Sequence, residues 1–188
     1  MSKLTTFAAA GMLLSIAAQA QTGPGWSETR LLMQSDGWQV TQQGRACTMQ
    51  KLPILIGDGD RQALFSITAA DTGSFVTYVE TRISWVEPNL TVQVDGAEPF
   101  LLSGRVFALY PNQISANLTQ TALLTLEDQL NAARQDVKVI TPVGMTRFSI
   151  VGIRRAMAAF LECQYITRGL VPLMPIEPRT PPRTPARG

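Results

Sequence analysis

Two cysteines, Cys47 and Cys163, are the residues whose chemistry is easiest to name. They stand near opposite ends of the chain, and the chain begins like an exported one. In an oxidising compartment an even pair of cysteines joins as a disulfide. The compartment and the even count predict an intramolecular Cys47–Cys163 bond that ties the start of a domain to its end, the alternatives being two buried thiols or pairing between chains. The chain contains no histidine. Ser-His-Asp and Cys-His catalysis are therefore excluded. So are histidine-containing zinc sites, and two thiolates are too few for an all-cysteine zinc site within one chain. The usual general acid-base of neutral pH is missing as well.

The carboxylates are few and scattered. Asp58 and Asp60 alternate with glycine in Gly57-Asp58-Gly59-Asp60, half of a calcium loop, but no closing glutamate follows at the right distance, so the stretch reads as a polar turn. Asp95-Gly96 is a hairpin turn. Glu127 and Asp128 are neighbours on a predicted helix and are expected to face water. Glu80 and Glu98 lie on separate predicted strands with nothing to bring them together. A glycosidase-like site needs two carboxylates held about 5–10 Å apart across a cleft. No phosphate-binding glycine loop, G-x-S-x-G elbow or S-x-x-K motif is present. The sequence thus assigns no catalytic, cofactor-binding or metal-binding residue. Tyr78, Arg82 and Trp85 form a candidate aromatic-cationic patch for a sugar or peptide, although aromatics at strand spacing more often belong to a core.

The elements that must position these residues follow from the hydrophobic periods. The first twenty residues, MSKLTTFAAAGMLLSIAAQA, carry Lys3, an apolar run from Phe7 to Ala18 and a small-x-small end. This is the pattern of a secretory signal peptide cleaved after Ala20, and the run is short for a membrane span. Nothing downstream is apolar for long enough to cross a membrane. Residues 21–36 read as a linker or N-terminal segment, in which Ser27–Gln34 fits a helical turn or an edge segment equally. Residues 37–170 read as one β-rich domain, and the mature chain of about 165–170 residues is large enough for a core.

Within that domain strands are predicted at Trp38–Gln43, Ala46–Lys51, Gln62–Ala69, Phe75–Ile83, Leu90–Val94, Glu98–Leu102, Arg105–Tyr110, Gln113–Leu118, Val137–Ile140 and Met145–Val151. Pro53–Asp60 is read as ending in a loop, and Pro111-Asn112 as a turn. The period changes to that of a helix at Thr121–Arg134, with Leu123, Leu126 or Leu130, and Ala133 on the apolar face. A closing helix follows Gly152, with Ile153, Ala156, Met157, Phe160 and Leu161 as its stripe and Arg154, Arg155, Ala158 and Glu162 outward. The expected fold is mainly β, an antiparallel sandwich-like domain with one inserted short helix and one C-terminal closing helix. Residues 171–188 form a Pro/Arg-rich stretch expected to be extended or disordered. Its Arg179, Arg183 and Arg187 are candidates for contact with a partner or an envelope surface. Net charge is only +2, which implies no broad surface for nucleic acid.

Several of these segments resemble one known family. Gly37-Trp38-Gln39-Val40, Cys47-Thr48-Met49-Gln50, Leu90-Thr91-Val92-Gln93-Val94-Asp95-Gly96, Leu123-Leu124 with Leu130, and Phe148-Ser149-Ile150-Val151-Gly152-Ile153-Arg154-Arg155-Ala156-Met157 are similar to the invasion-associated locus B family, small exported proteins of alphaproteobacteria. The resemblance spans most of residues 37–163. In that family a close cysteine pair often lies between the Asp-Gly hairpin and the helix; Arg105–Leu118 holds none, so no disulfide pattern is carried over. The resemblance implies no shared enzymatic activity and supplies no catalytic residue. The resulting expectation is a periplasmic or cell-surface protein without cofactors that acts through an envelope protein partner. The alternatives are a carboxylate-dependent glycan hydrolase and a structural subunit of an envelope assembly.

Overall fold

A computed structural model describes residues 28–57 and 59–168. The signal-peptide segment 1–20, residues 21–27, Asp58 and residues 169–188, with the Pro/Arg-rich 171–188, lie outside the described residues. Ten strands pair in the order β1-β2-β3-β4-β5-β8-β7-β6-β9-β10, every pair antiparallel. They are β1 (Thr29–Ser35), β2 (Trp38–Gln43), β3 (Ala46–Ile56), β4 (Arg61–Ala70), β5 (Gly73–Glu80), β6 (Asn89–Val94), β7 (Phe100–Phe107), β8 (Tyr110–Leu118), β9 (Asp136–Thr141) and β10 (Gly144–Ser149). Helix α1 (Gln120–Ala132) joins β8 to β9, and α2 (Ile153–Thr167) follows β10. The mainly β architecture with one inserted and one closing helix is the one expected. Among the described residues no helix is long and apolar enough to cross a membrane.

Alternation makes the core. In β2, β3 and β5 the residues Trp38, Val40, Cys47, Met49, Val76 and Tyr78 point one way and are fully buried. The sheet folds over, so that β10 lies across β4 and β5. The Phe148 ring sits 5.8 Å from Phe65 and 6.4 Å from Tyr78. The Trp38 indole N–H donates to Ser149 O at 3.2 Å. Each fully buried Phe or Leu contributes on the order of 1.5–3 kcal/mol. Helix α2 buries Ile153, Ala156, Met157 and Phe160 against β1–β3. Its N-cap Gly152 is left-handed (φ 85°), and a Cβ there would sit 2.6 Å from Asp36 Cβ, so only glycine lets the helix start this close to the β1–β2 turn.

Several boundaries differ from the sequence expectation. Of the two readings of Ser27–Gln34, helical turn or edge segment, the structure takes the second: Thr29–Ser35 is the edge strand β1, because Trp38–Gln43 offers it a ladder. β3 continues through Pro53: β2 ends opposite Lys51, and a bulge between Lys51 and Ile54 leaves the proline exposed where no donor is needed. β5 stops at Glu80, and Arg82 takes a left-handed φ of 63°. Glu98–Leu102 and Arg105–Tyr110 are not two strands. They are largely one strand, β7, which turns at residues 108–109 rather than at Pro111-Asn112. Asp95, at φ 50°, does more than turn a hairpin. Its carboxylate accepts the main-chain N–H groups of Arg134, Gln135 and Asp136, which fixes the end of α1 to the start of β9.

Candidate functional site

Cys47 on β3 and Cys163 on α2 are joined, with Cα atoms 6.0 Å apart. The bond is buried and closes the domain as expected. Tyr78 and Trp85 are also brought together, their rings 5.9 Å apart, but inside the core, with Tyr78 1% and Trp85 7% exposed. Arg82 stays outside and pairs with Asp60 at 3.0 Å. The three do not make one exposed aromatic-cationic patch. The reason is the end of β5: the turn after Glu80 swings Arg82 into solvent while Tyr78 keeps its inward parity. Arg179, Arg183 and Arg187 lie outside the described residues.

The most concentrated polar chemistry sits behind Tyr78. Its hydroxyl donates to Glu80 Oε2 at 2.7 Å and lies 2.8 Å from Thr146 Oγ1, which donates to it in turn. Arg61 donates to the other carboxylate oxygen of Glu80 at 2.7 Å. Burial pushes the Tyr78 phenol well above its ordinary value; Thr146 opposes that rise and Glu80 adds to it. A cavity of about 100 Å³ beside the group is lined by Arg61, Glu80 and Thr146. Each carboxylate oxygen of Glu80 is already engaged, so the network acts as a brace from β4 and β5 to β10. Sequence reading did not single out Arg61 or Thr146. Only the register of β4 against β5 and the fold-over of β10 bring them to Glu80.

Glu127 departs from expectation. It faces inward, 6% exposed, and accepts from Gln164 Nε2 at 2.7 Å across the α1–α2 interface. Burial raises its pKa, with the Gln164 hydrogen bond and the Arg168 charge pulling the other way. Its neighbour Asp128 is exposed as predicted. The helix is turned so that Leu123, Leu126 and Leu130 fill the core, and Glu127 beside them meets α2. Among the described residues no group of three or more Cys, Asp and Glu side chains could hold a metal ion.

What the fold leaves open is a groove. β7 changes partners along its length. Arg105–Phe107 lie in the ladder with β8, Phe100–Ser103 pair with β6, and Gly104 is the crossing point. A Cβ on Gly104 would sit 2.6 Å from Ile114 Cγ2 and 2.8 Å from Pro88 O, so the strands approach there as only glycine allows. Antiparallel strands bond through alternate residues to opposite neighbours. Gly104 N–H donates to Pro88 O at 2.9 Å, so Leu102 and Phe100 also bond toward β6. Ser103 and Leu101 then turn their main-chain groups to the other side, past the last β7–β8 register pair, Gly104–Ala116, while β8 itself runs on to Leu118. The opening has a volume of about 620 Å³, floored by Pro99, Phe100, Leu101 and Leu102 and walled by Asn117 and by Ala122, Thr125 and Gln129 of α1. Leu101 is 79% exposed. The Gln129 side-chain oxygen is buried without a hydrogen-bond partner.

The sequence matches no protein-family model and no curated protein sequence. Among solved structures it is similar to the crystal structure of invasion associated protein B from Bartonella henselae, with a TM-score of 0.48 and 14% identity over 73% of this chain and 99% of that one. This is a weak resemblance of fold.

Proposed function

We propose that the protein is an exported, non-catalytic protein of the cell envelope that binds an extended segment of a partner polypeptide in the β7–β8–α1 groove. The observation that carries the reading is the exposed part of β7 at Leu101 and Ser103, which is laddered to β6 alone and set among apolar side chains. An extended peptide satisfies such an edge by strand addition, and pockets beside it select alternate side chains. The unpartnered Gln129 oxygen adds an acceptor for a peptide N–H. The Cys47–Cys163 bond supports export, because disulfides persist in oxidising compartments. Engagement of Glu80 by Arg61 and Tyr78 supports a structural role for the best-placed buried carboxylate.

The test is a titration with extended peptides of alternating apolar and polar residues, followed by amide chemical shifts. The expected result is perturbation centred on Leu101, Ser103 and the Gln129 side chain, abolished by Ser103→Pro with the fold retained. Peptides that bind elsewhere, or that bind Ser103→Pro equally well, would refute the groove as the site.

A further inference from the structure

A second surface lies where helix α2 begins, and it shares no residue with the groove. A depression of about 490 Å³ opens there. Its lining includes Asp36 of the β1–β2 turn, Arg134 of the α1–β9 connection, and Ile150, Gly152, Arg154 and Arg155 around the start of α2. The Arg134 main chain is anchored, because its N–H and those of Gln135 and Asp136 donate to the Asp95 carboxylate. The start of α2 is anchored against the β1–β2 turn by the close approach at Gly152. The backbone that carries all three arginines is thus fixed before any ligand arrives.

The charges here run against the helix. Arg154 and Arg155 are the second and third residues of α2, and its first turn holds no acidic residue. A helix start favours anions and disfavours cations. Arg134 brings a third guanidinium to the same depression. Among the described residues none of the three forms an ion pair. The Asp36 carboxylate accepts from the Ser35 hydroxyl at 2.7 Å. Asp95 is close enough to feel the Arg134 charge, but it is already taken by three main-chain N–H groups. The cationic excess continues onto β9 and β10, where Lys138 and Arg147 share the single Asp136 carboxylate at 3.9 and 3.6 Å. The first turn also has a spare donor. Ile153 N–H donates to Ile150 O, and the Arg155 and Ala156 N–H groups donate to Gly152 O. Arg154 N–H has no main-chain acceptor among the described residues.

A phosphate suits this set of donors. Its oxygens point in several directions, whereas a carboxylate offers two in one plane. Guanidinium forks bind phosphate in pairs of hydrogen bonds, and N–H groups at a helix start add to them. We propose that the depression at the start of α2 binds a phosphate-bearing anion through Arg134, Arg154 and Arg155. The same chemistry serves a free phosphate and a phosphate carried on a lipid headgroup.

Two titrations of the full-length chain at constant ionic strength test it. The first follows amide chemical shifts with added inorganic phosphate. The second measures co-sedimentation with phosphatidylcholine vesicles that contain or lack phosphatidic acid. Saturable shifts are expected at Arg134 and at Gly152 to Arg155. Arg154→Gln/Arg155→Gln is expected to weaken binding at least about tenfold, the worth of a charge-assisted contact. Arg134→Gln, on a separate element, is expected to do the same. Arg30→Gln/Arg105→Gln removes equal charge from exposed sites outside the depression and is expected to change binding less than about twofold. Without phosphate, Arg154→Gln/Arg155→Gln is expected to melt no lower than wild type, because it removes cations from a helix start. Saturation by free phosphate with neither vesicle bound identifies a soluble ligand. Co-sedimentation that needs phosphatidic acid and is lost in Arg154→Gln/Arg155→Gln identifies a headgroup. Shifts that never saturate, with no such co-sedimentation, overturn the proposal. So does undiminished binding by Arg154→Gln/Arg155→Gln, or an equal loss in Arg30→Gln/Arg105→Gln.

Discussion

Reducing the Cys47–Cys163 bond isolates the contribution of one cross-link without changing any other atom. The bridged residues are 116 positions apart, and the loop between them holds most of β3, all of β4 to β10, α1 and most of α2. In the chain-entropy treatment a loop of this size lowers the entropy of the unfolded chain by about 16 cal/mol/K, or about 4.9 kcal/mol at 25 °C. Domains of this size are stable by about 5–15 kcal/mol, so the bond accounts for a third or more of the total. With a urea slope of about 2 kcal/mol/M, reduction is expected to lower the unfolding midpoint by about 2.5 M. The assay is equilibrium urea unfolding of one preparation with and without reductant, monitored by tryptophan fluorescence, to which the buried Trp38 and Trp85 contribute, and by far-ultraviolet dichroism. The two probes are expected to shift together, because the bond restrains the whole chain and not α2 alone. A loss below about 1 kcal/mol would refute the reasoning. So would early loss of helical signal with the tryptophan fluorescence unmoved, which would make the bond a local clasp on α2.

Three further substitutions probe the brace, the crossing point and the helix interface. Tyr78→Phe leaves one oxygen of buried Glu80 and the Thr146 hydroxyl without their shared partner, and is expected to cost about 1–3 kcal/mol in urea unfolding. Gly104→Ala drives a methyl against Ile114 and the Pro88 carbonyl, and is expected to cost about 3 kcal/mol, at the upper end for overpacking; a cost no larger than at an exposed strand glycine would refute the tight crossing. Glu127→Gln keeps an acceptor for Gln164 and removes a buried charge. Because burial raises the Glu127 pKa in the folded state, its penalty is fully present above that raised pKa. The penalty fades as pH falls toward the unfolded value of 4.5. The variant is therefore expected to be more stable than wild type at neutral pH and to lose that advantage in acid, as read by melting temperature against pH.

Where one side-chain period dominates, the fold is legible in the sequence. Trp38–Gln43 alternates cleanly and is found with the same bounds. The stripe from Ile153 to Phe160 gives α2, and the expectation of export with an even cysteine count gives the staple. Sequence leaves the outcome open, or misses it, where a neighbour decides. Thr29–Ser35 has no strong period of its own, which leaves helical turn and edge segment equal, and it becomes an edge strand because β2 presents a ladder. Pro53 reads as a strand end and is tolerated because the adjacent strand has already stopped. Glu127 looks like a solvated surface residue until Gln164 arrives from a helix 37 positions away. These outcomes depend on which elements meet, which local pattern does not record.

The groove was hidden for a more particular reason. Ser103-Gly104 looks like an interruption between two apolar runs, and a break in pattern ordinarily means that the chain turns. Here the chain continues and the partner changes. Glycine permits both readings, since it suits a turn and also a crossing too close for any Cβ. What decides is pairing. Pro88 O takes the Gly104 N–H, while the β8 ladder stops at Ala116 as the chain prepares to enter α1, with Thr119 as its N-cap. The proposed binding edge thus depends on where the β7–β8 ladder stops as much as on β7 itself. Its chemistry lies in main-chain groups that every sequence possesses, so residue types alone leave it invisible. The side chains around it, Phe100, Leu101 and Leu102, carry the same letters as any core strand. Only exposure marks the surface, with Leu101 79% open beside the half-buried Phe100 and Leu102.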